Sequence, residues 1–202
     1  MSPANRSYHH GHLRHQLLST ARQLLDERGP SALTLREVAR RAGVAAPSAY
    51  HHFANLDALA ATLAEQGFAE LAAALETAPT DERGRLAPTG EAYITWARAN
   101  PELYRLMFGE GFRTAIEASN GVHASRGRAH ALLVTGLQRR LPDRDLPAAT
   151  LLAWSLVHGL TMLLIDNQSE PGAASLIPDV FRLAARGIPL GPASSFGTEP
   201  GA

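Results

Sequence analysis

Leucine and alanine recur at three- and four-residue spacing through most of the chain, and runs that alternate β-branched with polar residues do not occur. That pattern predicts helices throughout and no sheet, an all-α protein. Leu13, Leu17, Ala21, Leu24 and Leu25 mark a first helix, which the Gly29-Pro30 pair stops. Leu35, Val38, Ala39 and Ala42 mark a short second one. Pro47 opens a short third, at a first-turn position where its missing N–H does no harm. Leu56, Leu59, Leu63, Leu71 and Leu75 define a long fourth helix, which from 55 to 77 spans roughly 35 Å at 1.5 Å per residue. Beyond a polar connector at 79–88, helices are predicted at 92–99, 101–108, 129–140, 146–165 and 177–186. Residues 109–127 are mixed and read as a short helix plus loop. Seven of the 16 residues from Gly187 onward are Gly or Pro, which predicts a loose tail.

Composition removes whole classes of chemistry. The chain has 202 residues, 45% hydrophobic and 19% charged, enough apolar material for a core. Its 19 basic residues are all Arg. Without Lys there is no Walker A loop and no Schiff base, and without Cys there is no disulfide, Cys-ligated zinc or thiol nucleophile. The first 18 residues are rich in His and Arg and lack a continuous apolar segment, so a cytoplasmic home is expected. Zero net charge hides an asymmetry. Residues 1–53 carry seven Arg against Asp26, Glu27 and Glu37, and six of the nine His fall there, so a basic head sits on an acidic body. An anionic partner met by the head would explain this, and so would a solvated helical surface.

Residues 33–53 say more. Thr34-Leu35-Arg36-Glu37 reads as a capping box, with the Thr34 hydroxyl accepting from the Glu37 N–H and Glu37 reaching back to the cap. Leu33 and Val38 stand where a hydrophobic staple forms, Ala39 permits a close crossing, and Gly43 supplies a turn. Short helix, Gly turn and short helix together make a helix-turn-helix, whose second helix enters the DNA major groove. Ala45, Ala46, Pro47 and Ser48 are small enough to approach base edges. Tyr50, His51 and His52 follow with donors for phosphates or bases, and Arg36, Arg40 and Arg41 add charge. A capped hairpin packed inside the body is the plainer alternative.

The run Leu33-Thr-Leu-Arg-Glu-Val-Ala-Arg-Arg-Ala-Gly-Val-Ala-Ala-Pro-Ser-Ala-Tyr-His-His-Phe53 resembles the DNA-binding domain of TetR-type transcriptional regulators. Trp154-Ser-Leu-Val-His158-Gly159 is similar to the signature of a WHG-type C-terminal domain, and Tyr8-His-His-Gly-His-Leu-Arg14 to that subgroup's usual opening. The resemblance implies a helix-turn-helix head at 1–54, a helical regulatory and dimerisation body at 55–188 with the fourth helix as lever, and a flexible tail at 189–202. It implies a homodimer formed through the last two helices, a palindromic double-stranded DNA operator, and repression relieved by a small-molecule inducer. Thr34, Arg36, Ala45, Ala46, Pro47, Ser48, Tyr50 and His51 are the expected DNA-contacting residues. Two departures concern the grip on phosphate: Ala45 stands where relatives often have Ser or Thr, and Leu56 where they have Lys. They imply either a weaker grip or one supplied by Arg6 and the N-terminal segment.

Tyr93, Trp96, Tyr104, Met107, Phe108, Trp154, His158 and Met162 gather in the body and are the expected lining of a pocket for an apolar or aromatic ligand. Aromatics at helical spacing also build ordinary core, and Arg105 is a second polar group able to orient a ligand. His9, His10, His12 and His15 can converge on a metal, as can His158 with His123 or His130, but no His-Glu-x-x-His spacing occurs and no metal site is expected. No cofactor and no catalytic residue are expected either. A small helical enzyme with His158 as general base is the alternative, weakened by the absence of a Gly-x-Ser-x-Gly elbow or a carboxylate pair. The uncharged stretch 146–165 has the length of a membrane span, yet Pro147, Thr150, Ser155, His158 and Thr161 make it too polar for one, so no membrane is expected and a subunit interface fits it better.

Overall fold

The computed structural model describes residues 4–79, 87–138 and 141–186. Among them there is no strand. In chain order the helices are α1 (Ala4–Arg28), α2 (Leu35–Arg41), α3 (Ala46–His52), α4 (Leu56–Glu76), α5 (Ala87–Ala99), α6 (Pro101–Phe108), α7 (Arg113–Glu117), α8 (Asn120–Gln138), α9 (Leu146–Ile165) and α10 (Ile177–Arg186), with short 3-10 turns between several of them. The mixed segment 109–127 differs from expectation. Only α7 and a 3-10 turn are short there, and α8 begins at Asn120, nine residues before the predicted 129. Gly121 and Gly127 look like breakers in sequence, but the Ser119 hydroxyl accepts from the Val122 N–H and starts the helix ahead of both. The tail, the connector at 80–86, Arg139 and Arg140 lie outside the described residues, as do the side chains of Arg6, His9 and His10.

α1, α2 and α3 close on one core. Leu17, Leu24, Leu25, Val38 and Ala49 are fully buried there, and each buried leucine contributes about 1.5–3 kcal/mol relative to an exposed one. α4 carries this core into the body. Leu59, Leu63 and Leu71, with Ala60, Ala64 and Ala72 beside them, make a buried stripe two residues wide. The stripe packs against the head at its N-terminal end and along α6 and α8 further on. At Gly67 the crossing with α6 is close, since a Cβ there would stand 2.5 Å from the Met107 sulfur. Head and body also meet at Arg22, which pairs with Asp26 at 3.0 Å and Glu70 at 3.2 Å and donates to the Asn100 side chain at the start of α6.

Candidate functional site

The helix-turn-helix is built by three local devices. The Thr34 hydroxyl accepts from the Glu37 N–H at 3.1 Å and caps α2. At its other end the Val44 N–H reaches Ala39 O at 3.0 Å and the Gly43 N–H reaches Arg40 O at 3.2 Å, the paired bonds of a Schellman turn, with Gly43 at φ 73°. The left-handed backbone turns the chain into α3. Phe53, buried behind α3, lies under the Arg14 guanidinium at 5.0 Å, and Gln16 donates to Ala42 O at 3.0 Å, so α1 clamps both short helices.

One half of the expected capping box is absent. Instead of reaching back to the cap, the Glu37 carboxylate takes Arg40 at 2.7 Å and Arg41 at 3.2 Å, because two guanidinium groups one turn away outcompete a single amide. The Arg40 contact, foremost among its partners, pulls its carboxyl down to about 2. Arg41 further binds Glu27 at 2.6 Å, so the charge of both arginines is partly answered inside the head. Thr34, Arg36, Ala45, Pro47, Tyr50 and His51 are exposed, Ala46 and Ser48 are half-exposed, and Ala49 is buried. Tyr50, at 53% exposure, is an open large apolar side chain on α3.

In the body a cavity of about 850 Å³ lies between α4, α5, α8, α9 and α10. Phe68, Leu71 and Leu75 of α4 form one wall, and Leu133 and Leu137 of α8 face Trp154 and Val157 of α9. Of the residues expected to line a pocket, Tyr93, Phe108 and Trp154 do so. Trp96, Tyr104, Met107, His158 and Met162 are not part of the lining. Tyr104 and Met107 are buried core, while Trp96 and Met162 pack behind them around Ala97 and Ile165. Arg105 is committed elsewhere, to Glu102, to Asp166 at 2.9 Å and to the Ile165 carbonyl at 2.9 Å. Missed in sequence were Arg126 and His130 of α8, and Phe181 and Arg182 of α10. A signal existed in the spacing of Arg126, His130, Leu133 and Leu137 on one helical face, hidden because α8 was taken to start later.

Behind the lining runs a hydrogen-bonded chain from α5 through α6 to α9. The Tyr93 hydroxyl lies 3.0 Å from that of Tyr104, which lies 2.6 Å from His158 Nδ1. Burial pushes the Tyr93 hydroxyl up to about 12, raises Tyr104 further, and holds His158 below the ordinary imidazole value. One arrangement that satisfies all three groups is a neutral imidazole accepting from Tyr104, which accepts in turn from Tyr93. Phe108 stands edge-on to the His158 ring at 4.8 Å and Trp154 tilts over it at 6.1 Å, so the imidazole is also a packing element. No group of three or more potential metal ligands occurs among the described residues.

Two family models cover most of this architecture. Bacterial regulatory proteins of the tetR family match residues 17–63, and the Tetracyclin repressor-like C-terminal domain matches residues 86–187. The uncharacterized HTH-type transcriptional regulator YobS of Bacillus subtilis strain 168 is 24% identical over 182 residues, 76% of this chain and 93% of YobS. A Rhodococcus sp. RHA1 protein with unknown function is 31% identical over 86% of this chain and 92% of its own, with a TM-score of 0.69. The regulator FadR from Bacillus subtilis, solved with stearoyl-CoA, shares the fold at a TM-score of 0.61 and 18% identity, covering 86% and 98% of the two chains. The family models and YobS are of transcriptional regulators and not of enzymes, which sets aside His158 as a general base. With a capped helix-turn-helix at one end and a matching helical body at the other, the chain belongs to the TetR family of DNA-binding transcriptional regulators.

Proposed function

We propose that the protein is a homodimeric repressor that holds a palindromic operator and releases it when a small molecule fills the cavity. One observation carries this reading: α4 starts four residues after α3 ends and lends Phe68, Leu71 and Leu75 to the cavity wall. A ligand that moves the wall tilts the same helix on which α3 rests. Two recognition helices must fit successive grooves about 34–36 Å apart or modestly more, so a small tilt weakens both contacts together. Thr34, Arg36, Ala45, Ala46, Pro47, Ser48, Tyr50 and His51 form the DNA face in this reading. The head is residues 1–54 and the regulatory body 55–188, with Trp154, His158 and Gly159 as its WHG-type signature.

The outer face of α9 supports the dimer. Leu151 and Leu163, which do not line the cavity, are exposed at 68% and 43%, and the space a Gly159 Cβ would fill is open. By length and composition α9, with the turn before it, is apolar enough to cross a membrane. A regulator that works on cytoplasmic DNA buries such a face against its own copy, as a four-helix bundle of α9, α10 and their mates. Selecting the protein against a random double-stranded DNA pool at physiological salt tests the whole proposal. Enrichment of a two-fold symmetric site, lost on joint Tyr50→Ala and His51→Ala substitution without loss of the dimer, is the expected result. Failure to enrich any site, even after denaturing and refolding to strip a bound ligand, would refute it.

A further inference from the structure

On its α8 side the cavity wall passes from polar to apolar. Along α8 its lining runs Arg126, His130, Leu133, Leu137, a single face about 16 Å long at 1.5 Å per residue. His130 is exposed and Arg126 half-buried, while Leu137 at the far end of this face is buried, as are Phe68 and Leu71 of the α4 wall. Arg126 forms no ion pair or hydrogen bond with another described residue. Its neighbour Arg128, outside the lining, is by contrast paired with Glu76 at 2.9 Å. Of the remaining charged groups in the lining, Arg182 is held by Asp179 at 2.7 Å, and Glu91 of α5 pairs with neither arginine. The Tyr93 hydroxyl, the polar atom set among the aromatic rings, is engaged by Tyr104 and so is not offered to a headgroup.

We infer that the effector is an amphiphilic carboxylate, its anionic group held by Arg126 with His130 at the mouth and its apolar body lying along Leu133, Leu137 and the α4 wall. This inference rests on the proposal that the cavity is the effector site. The volume of about 850 Å³ lies within the range of about 300–1,000 Å³ usual for small-molecule sites. A guanidinium beside an apolar enclosure discriminates strongly, because its bond to a carboxylate is charge-assisted and a neutral head leaves it unanswered. The body of the ligand, alkyl chain or fused rings, is decided by the probes.

Calorimetric titration of the ligand-free protein with two matched pairs, dodecanoate against dodecanol and naphthoate against naphthol, separates head from body. At least one acid should bind about tenfold or more tightly than its alcohol. Arg126→Gln should erase that preference while leaving the alcohol's affinity unchanged, which also shows that the cavity is intact. Arg128→Gln should change neither. Equal binding of acid and alcohol, no binding by any probe, or an acid preference that survives Arg126→Gln would overturn the assignment. Operator selection by the ligand-free protein tests the regulatory reading separately. If an acid binds through Arg126 to a protein that selects no operator, the ligand class stands and the regulatory role falls.

Discussion

Replacing Tyr104 by Phe removes one oxygen from the middle of the body and almost nothing else. The ring keeps its place against Phe108 at 4.7 Å and Tyr93 at 6.0 Å, so no cavity opens. Two hydrogen bonds disappear, at 3.0 Å to Tyr93 and 2.6 Å to His158 Nδ1, from a residue with no exposed surface. Tyr93 lines the cavity and can turn its hydroxyl to water there, so its bond is worth about 0.5–1 kcal/mol. His158 is half-buried, with Nδ1 aimed at the lost oxygen, and its stranded acceptor costs about 1–2 kcal/mol. The sum, about 1.5–3 kcal/mol, should lower Tm by about 3–12 °C for a chain of this size. Thermal unfolding followed by circular dichroism measures it, at matched protein concentration because the proposed dimer would make stability concentration-dependent. A shift below about 1 °C would show that the chain of hydroxyls and imidazole holds nothing together. A double-mutant cycle with His158→Ala then locates the loss: a coupling of about 1 kcal/mol is expected between the two positions, and strict additivity would contradict a direct bond.

Three further outcomes follow from the same geometry. Thr34→Ala removes the cap of α2 at a cost of about 1 kcal/mol, so the Glu37 amide should exchange with solvent about fivefold faster, and an unchanged rate would mean the hydroxyl caps nothing. His158 is held below its ordinary value near 6.5, so the unfolded chain binds more protons as pH falls through that value; stability is full above about pH 6.5 and declines below it, and His158→Gln should flatten the decline in urea midpoints measured between pH 5 and 8. Leu151→Glu puts a carboxylate on the exposed face of α9 away from the cavity lining, and sedimentation should report a monomer, whereas an unchanged dimer would move the interface elsewhere.

Local features were legible because local rules write them. Thr34 three residues before Glu37, Gly43 after a short amphipathic run and Pro47 at a first turn each fix a backbone geometry within one or two turns, and the helix-turn-helix is made of such turns. The same rules misplaced the start of α8, since Gly121 and Gly127 carry a helix penalty of about 1 kcal/mol each that packing against α4 outweighs. They also assigned Glu37 to its own cap, where the nearby Arg40 and Arg41 win.

The pocket was the part that sequence reached least well. Choosing residues by type gathers aromatics, and Tyr93, Phe108 and Trp154 do face the cavity, but Tyr104 and Met107 have the same chemistry and are filled in on every side. Whether a side chain borders empty space depends on how five helices cross, and crossing angles are set by interdigitating surfaces distant in the chain. The sequence alone determined an all-α chain with a basic, capped, DNA-type head and a long helix leaving it. Only the tertiary structure decided that this helix walls a cavity, that Tyr93, Tyr104 and His158 join behind it, and that Arg126 meets its rim, because each of these depends on long-range packing that no local pattern encodes.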